Sequence, residues 1–532
     1  MTEKYRKFLD LVVYQVYPKS FLDTNGDGVG DLKGIEQKLD YISSLGANAI
    51  WICPIYKSPQ CDNGYDISDY REIDERYGTM EDFENLVISA KKKGIKIIMD
   101  LVANHTSSEH EWFKQARASK SNPYHEYYYW SDKPRNDWQS VFGGSAWEYN
   151  APTNEYYLHS FAIGQPDVNW ENPKVRKEFC DIVDFWLEKG VDGFRCDVLD
   201  FISKDFEKGK MYNGPHFHEY VKELFGREKV KDIFTVGECE TDEKTMQELC
   251  GEGRDELKCS FQFEHLDVGR KNKYEPAPHS FSDVANVLKK WQGYAEKYDL
   301  LYTLLTDNHD QSWFNSRVGN DKENRYESTT ALALLVYGMK GIPFIYQGQE
   351  IGSANSYFED IAMFDDVETL NFYRENKGKY SQKELLKKIN YGGRDITRRP
   401  FAWSSEKNYG FTDGERPWLP FASRSDEINL ERDISLKKSV FAFYRKLFGL
   451  RKENLALRYG SFKDVTNGRG FIAYEREYAG EKYLIVCNFE KETRLCGYGK
   501  GITLLSNFGL CEGEKMEIDR TYSPYACALF KV

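Results

Sequence analysis

Residues 95–105 read "IKIIMDLVANH". An apolar run of strand length follows a glycine and closes on Asp100, Asn104 and His105. The stretch before it, "TMEDFENLVISAKKKG" (79–94), carries its apolar residues at helical spacing. A helix feeding a strand that ends in polar residues is the repeating unit of an α/β fold. The unit recurs along the chain: "LVVYQVYP" (11–18), "ANAIWICPI" (47–55), "DGFRCDV" (192–198), "DIFTVGE" (232–238), "KCSFQFEH" (258–265), "LYTLLTD" (301–307) and "IPFIYQ" (342–347) are further strand candidates. Between most of them lie amphipathic runs such as "KVRKEFCDIVDFWLEKG", "DVANVLKKWQGYAEKY" and "STTALALLVYG". Eight such strands in alternation with helices predict a (β/α)₈ TIM barrel, whose active site lies at the C-terminal strand ends.

Two segments break the rhythm. Residues 104–170, rich in Tyr, Trp, Asn and Ser, are too long for a loop and read as an inserted domain. After a final helix, "SVFAFYRKLFGLRKEN", the pattern turns to short β segments ("GFIAYEREY", "KYLIVCNFE", "ACALFKV"). The expected layout is a barrel over 1–103 and 171–458, an inserted domain over 104–170, and a C-terminal antiparallel β-sandwich over 459–532.

A chain of 532 residues can bury a large core in two or three domains. A formal net charge of −12 speaks against nucleic acid, which needs a basic face. No apolar stretch has the length of a membrane helix, roughly 18 residues. The start lacks the pattern of a secretory signal. Eleven cysteines without C-x-x-C or zinc spacing read as reduced thiols, so a cytoplasmic protein is expected. Aromatic residues make up 15% of the chain, and rings with polar edges suit sugar stacking.

Residues 23–31, "DTNGDGVGD", match the first half of an EF-hand calcium loop through Asp23, Asn25, Asp27 and Gly28. The second half is absent, since Gly34 stands where the bidentate glutamate belongs. The stretch reads as a strand-to-helix loop, either a cation site or a solvated Asn/Gly turn.

The chemistry gathers at the predicted strand ends. The third strand gives Asp100, Asn104 and His105, the fourth Arg195 and Asp197, the fifth Glu238, and the seventh His309 and Asp310. A lone strand-end aspartate is usually a cap or an ion-pair partner, but several converging on one barrel mouth point to a site. Two neighbouring carboxyls push their pKa values apart, leaving one ionised and one protonated, which is the equipment of a glycosidase. A metal reading of His105 and His309 finds no H-x-H or H-E-x-x-H spacing.

The motifs "DLVANH", "GFRCDV", "VGE", "TDNHD", "QPDVNW" and "DNGYDISDY" resemble the α-amylase superfamily, glycoside hydrolase family 13, in order and spacing over nearly the whole chain. Within it, "QPDVN", "NGYD" and "GGRDITRRPFAW" look like the oligo-1,6-glucosidase and α-glucosidase group. The resemblance implies Asp197 as nucleophile, Glu238 as general acid/base and Asp310 as the transition-state carboxylate. It also implies that Arg195 orients Asp197, that His105 and His309 bond sugar hydroxyls, and that Tyr65 stacks beneath the first ring. Asp62 and Arg398 would pair to close the pocket at the non-reducing end, with Phe142, Phe161 and Gln165 as further wall residues. This group commonly carries a structural calcium, or magnesium, in the loop after the first strand. Its ligands here would be Asp23, Asn25, Asp27, Asp31 and the Val29 carbonyl, with no organic cofactor expected.

The resemblance also bears on linkage. A valine directly after the nucleophile, here Val198, goes with α-1,6 preference, and the short stretch between Asp197 and Glu238 resembles the glucan 1,6-α-glucosidases (dextran glucosidases). The expected protein is thus a retaining, exo-acting α-glucosidase that takes isomalto-oligosaccharides, as a monomer with no macromolecular partner. A maltase-like α-1,4 enzyme and a trehalose-6-phosphate hydrolase are the alternatives. A non-catalytic sugar-binding protein is the alternative of another class. "SRVGNDKENR" (316–325) departs from the isomaltulose-forming relatives, and Cys196, Cys239 and Gln349 depart from the usual residues at positions expected near the aglycone.

Overall fold

The structure is a computed structural model and describes residues 1–239, 242–466 and 470–532. Eight parallel strands form one sheet: β1 (Val13–Val16), β2 (Ala49–Ile52), β3 (Lys96–Val102), β4 (Gly193–Asp197), β5 (Phe234–Gly237), β6 (Cys259–Ser260), β7 (Thr303–Leu304) and β8 (Ile342–Tyr346). Their spatial order is β6-β5-β4-β3-β2-β1-β8-β7, the cyclic order of a barrel. Between β6 and β7 the Thr303 hydroxyl donates to the Ser260 carbonyl at 3.4 Å. Both of these strands are shorter than expected from their apolar runs. The β5/β6 ladder ends with β5 at Gly237, the β7/β8 ladder covers only Thr303–Leu304 although β8 runs on to Tyr346, and residues 264–267 turn into a 3₁₀ helix.

The helices form where local chemistry favours them. Met80–Lys92 opens with a capping box between Thr79 and Asp82, has Glu81 and Asp82 in its first turn and Lys91 and Lys92 in its last, and buries Phe83, Leu86, Val87 and Ala90. Pro173–Glu188 starts on proline behind an Asn172 cap. Arg325–Tyr337, which contains "STTALALLVYG", is not amphipathic as expected: Ser328 to Tyr337 are all buried, because the C-terminal sheet covers the side turned away from the barrel.

Residues 104–170 hold the helix Glu111–Ala118 and a three-stranded antiparallel sheet (Trp130–Ser131, Glu155–Leu158, Trp147–Asn150). The segment is tied back at its base. Asp167 accepts from the Ser160 amide (2.9 Å), from Asn104 Nδ2 (3.2 Å) and from the buried Lys204 ammonium (2.9 Å), which also reaches Asn104 Oδ1. The C-terminal part is a six-stranded antiparallel sheet from Ser461 to Lys531 with a two-stranded ribbon, Thr493–Arg494 and Thr521–Tyr522, over its outer face. Its central hairpin turns on Ala479 and Gly480, both at positive φ (51° and 84°), as tight hairpins require.

Candidate active site

Register places the charged residues. In the β3/β4 ladder Asp100 lies opposite Arg195 and Val102 opposite Asp197. Residues two apart on a strand share a face, so Arg195 and Asp197 point together into the barrel mouth. Arg195 Nη1 donates to Asp100 Oδ1 (2.6 Å) and to Asp197 Oδ1 (2.8 Å), while Nη2 bonds Glu238 Oε2 at the end of β5. Asp197 and Glu238 thus sit on the two terminal nitrogens of one guanidinium. Burial pushes Asp197 and Glu238 above the ordinary carboxylate range, and Arg195 opposes the rise in both. Asp100 is raised in the same way by burial, against Arg195, Trp51 and Tyr65. One guanidinium serves three buried carboxyls, an arrangement that favours the protonated form of one of them more than an exposed site would. Glu238 is the most accessible of the three, its side chain 23% exposed against 9% for Asp197 and none for Asp100.

Asp310, just past β7, has the opposite environment. Burial alone would raise it, but the permanently charged Arg398 and Arg394 guanidiniums outweigh burial and hold it well below the usual carboxylate range, with the His309 ring beside it. Arg398 Nη2 lies 2.8 Å from Asp310 Oδ1 and its Nε donates to the His309 carbonyl.

The expected Asp62–Arg398 pair does not form. Asp62 pairs instead with Arg394, Nη2 to Oδ1 at 2.6 Å, and Arg394 also reaches Asp366 (2.6 Å) and Asp310 (3.4 Å). The reason lies in the backbone: Arg394 opens a 3₁₀ turn that faces Asp62, whereas Arg398, after the turn, points behind Asp310. Asp62 is presented by a tight loop in which the Asp66 carboxylate accepts the amides of Cys61 and Asp62, and Asn63 and Gly64 take positive φ. Gln165 Nε2 donates to Asp62 Oδ2 and lies 3.1 Å from His105 Nε2. Burial lowers the His105 pKa, so the ring is neutral near pH 7, and its Nε2 contacts the Tyr65 carbonyl (3.1 Å).

Phe142 and Phe161 meet edge to face at 5.4 Å, Phe161 lies 5.3 Å from His105, and the Arg394 guanidinium covers Phe142 at 4.7 Å. Val198 packs on the same aromatic cluster and adopts φ 34°, ψ 47°, a left-handed conformation foreign to a β-branched residue. Tyr65 is stacked on His309 (5.3 Å, 6° between planes), with its hydroxyl 2.7 Å from His309 Nε2 and 3.1 Å from Asp100 Oδ2. Gln349 is not near the aglycone as expected. It is a core residue whose amide bonds Thr306, Tyr337 and Tyr444.

In the loop at 23–31 the Asp23 carboxylate accepts the amides of Asn25, Gly26 and Gly28 and the Thr412 hydroxyl. Asn25 Oδ1 accepts the Asp27 amide, Asp27 Oδ1 accepts the Val29 amide, and Asp31 caps the helix Leu32–Gln37 through Gly34. Among the described residues, none of the three aspartates has an ion-pair partner, and no set of three or more His, Cys, Asp or Glu residues is arranged to hold a metal.

Sequence reasoning missed Arg394, Lys204, Asp366 and Gln15. For Gln15 a signal existed, as a single amide inside the apolar run "LVVYQVYP".

An eight-stranded barrel with a carboxyl pair on one arginine at its C-terminal mouth is the architecture of the α-amylase family, and the chain belongs to that family: the model of the α-amylase catalytic domain matches residues 15–460. The oligo-1,6-glucosidase of Parageobacillus thermoglucosidasius is 42% identical, covering 98% of both chains. The glucan 1,6-alpha-glucosidase of Streptococcus pneumoniae is 42% identical over 90% of this chain and 91% of its own. Among solved structures, the trehalose-6-phosphate hydrolase of Bacillus licheniformis superposes with a TM-score of 0.92 at 40% identity, covering 98% of this chain and 99% of that one.

Proposed function

We propose that this chain is a retaining, exo-acting α-glucosidase that removes glucose from the non-reducing end of isomalto-oligosaccharides by cleaving α-1,6 bonds. The observation that carries the reading is the Arg195 guanidinium shared by Asp197 and Glu238. Two carboxyls on the two terminal nitrogens of one guanidinium face the same point of the barrel mouth, the arrangement expected of a retaining glycosidase, whose carboxyl pair stands about 5 Å apart.

The chemistry follows from the charges. Glu238 gives its proton to the glycosidic oxygen as that bond breaks, and the Asp197 carboxylate forms a bond to C1 of the glucosyl unit. The leaving alcohol departs, Glu238, now ionised, takes a proton from water, and the resulting hydroxide displaces Asp197 with net retention. Arg195 opposes protonation of Asp197 and orients it as the nucleophile, and the ionised Asp310 stabilises the positive charge that develops on the sugar ring. Asp62, Arg394 and the Phe142 wall close the far side, so one terminal glucose fits.

The α-1,6 preference draws on Val198 beside the nucleophile and on the names of the relatives. It is tested by initial rates of glucose release from isomaltotriose and maltotriose at equal concentration. Faster release from isomaltotriose is expected; faster release from maltotriose overturns the linkage and keeps the mechanism, and release from neither with turnover of trehalose 6-phosphate overturns the substrate class. The protein is proposed to act as a monomer on small oligosaccharides in the cytoplasm, and no described helix is long and apolar enough to cross a membrane.

The loop at 23–31 is proposed to hold a calcium ion, with magnesium as the alternative. The support is its all-oxygen donor set, which suits a hard cation, and three aspartates that have no cationic partner among the described residues. Such an ion would brace the loop and take no part in bond cleavage. Excess chelator is expected to lower Tm by several degrees, with calcium restoring it; an unchanged Tm would leave the loop as a set of self-satisfied Asx turns.

A further inference from the structure

We propose that Gln15, on β1, is a positioning residue that fixes the tautomer of His309, an inference resting on the glucosidase reading only for its effect on turnover. Gln15 is 1% exposed inside the barrel mouth, and its Nε2 lies 2.8 Å from His309 Nδ1 and 3.3 Å from Cys53 Sγ. On the other side of the imidazole, Nε2 lies 2.7 Å from Tyr65 Oη and 3.2 Å from Asp310 Oδ2.

The two ends of the ring agree. The Tyr65 hydroxyl has one hydrogen and donates it to Asp100 Oδ2 (3.1 Å), so toward His309 it accepts; Nε2 must then carry hydrogen, which the nearby Asp310 carboxylate also favours, and in a neutral imidazole the other nitrogen is a lone pair. A lone pair at Nδ1 needs a donor, and the side-chain amide of Gln15 supplies one. The ring is also held in place: Tyr65 stacks on one face at 5.3 Å, Tyr17 on the other at 5.9 Å, and the edge of Trp51 stands at 5.9 Å. Burial holds the ring neutral, and the Arg398, Arg195 and Arg394 charges around it act in the same direction, against the pull of Asp310. The remaining variable is which nitrogen carries the hydrogen, and Gln15 decides it. With Nε2–H toward the pocket, His309 presents a donor to Asp310 or to a sugar hydroxyl. With the other tautomer it would set a lone pair against the Asp310 carboxylate.

The test uses the full-length protein labelled with ¹⁵N-histidine, with His309→Gln assigning the His309 signals. The expected spectrum shows His309 bearing hydrogen at Nε2 alone; Gln15→Glu, recorded at a pH high enough to ionise the introduced carboxyl so that it offers only acceptors, is expected to move hydrogen onto Nδ1. Turnover is followed with 4-nitrophenyl α-glucoside, whose cleavage does not depend on the linkage preference. Gln15→Glu and Gln15→Leu are expected to lower kcat by 10- to 100-fold with a smaller change in KM and with folding judged by an unchanged far-UV spectrum. Hydrogen on Nδ1 in the unaltered protein, or both variants within twofold of its kcat, overturns the proposal. The tautomer readout needs no turnover, so it stands if the glucosidase reading fails; if Gln15→Leu does not fold, Gln15→Glu, equal in shape, carries the test.

Discussion

Arg394 and Arg398 come from the same basic stretch of chain and serve different carboxylates. Arg394 binds Asp62 and Asp366, and Arg398 binds Asp310 and the His309 carbonyl. The Arg394–Asp62 pair is buried, so removing one partner leaves an uncompensated charge that costs about 3–5 kcal/mol, whereas removing both relieves much of that penalty; the Arg398–Asp310 pair is buried on the arginine side only. A double-mutant cycle separates the two arginines. Asp62→Asn combined with Arg394→Gln is expected to show a coupling of at least about 1.5 kcal/mol in kcat/KM or in unfolding free energy, and Asp62→Asn with Arg398→Gln a coupling within about 0.5 kcal/mol of zero. The opposite pattern would restore the pairing that the sequence suggested. That misassignment has a physical cause. The motif "GGRDITRRPFAW" offers three arginines, and which one meets Asp62 is set by a 3₁₀ turn and by a loop more than three hundred residues earlier, neither of which local spacing encodes. Asp197, Glu238 and Arg195 were legible because each closes a strand whose period fixes its direction.

At the scale of elements, the end of β4 combines strain with selection. Val198 occupies the left-handed region, which costs an L-residue about 1–2 kcal/mol, and it does so between the nucleophile and a 3₁₀ turn, Leu199–Ile202. The turn is over-determined by its surroundings: the Leu199 amide donates to the Glu238 carbonyl, and Phe201 packs against Phe161. The strained backbone points the Val198 side chain into the aromatic cluster beside the site. Val198→Ala keeps the strain and shortens the side chain, so its isomaltotriose-to-maltotriose rate ratio is expected to fall several-fold at unchanged Tm. Val198→Gly removes the strain as well, and its Tm is expected to equal or exceed that of the unaltered protein while the ratio falls further. A ratio unmoved in both variants would dismiss Val198 as a determinant. Element type was readable in most of the barrel because β1 to β5 and β8 carry apolar runs bounded by turn residues. β6 and β7 were also readable as strands, but their length was not legible, since each forms a ladder of only two residues inside a longer apolar run.

At the scale of the molecule, the C-terminal sheet is part of the barrel's core. Ile472, Tyr474, Ile485, Cys487 and Leu529 on its inner face belong to the same apolar cluster as the barrel's strands and helices, packing on the helix layer. The contact is also polar. The helix Arg325–Tyr337 ends with carbonyls that have no partner within the helix. The Tyr474 hydroxyl lies 2.8 Å from the Leu335 carbonyl, Arg451 donates to Tyr337 and Met339, and Arg476 donates to Gly338, Leu457 and Gly460. Both arginines are fully buried and bond backbone oxygens, which places cations at a helix C-terminus, where the dipole favours them. Cutting the chain after Gly460 would expose the buried, largely apolar helix face and strip these carbonyls of Tyr474 and Arg476 at once, each buried acceptor so orphaned costing roughly 1–3 kcal/mol. The truncated barrel is therefore expected to be insoluble or unfolded, and the whole chain to unfold in one calorimetric transition whose calorimetric and van't Hoff enthalpies agree. Arg476→Met, which keeps most of the apolar stem and removes the donors, is expected to lower the temperature of that single transition without splitting it. Two separate transitions, or a soluble and active barrel ending at residue 460, would mean that the sheet is an appendage and that the helix it covers is stabilised by the barrel alone.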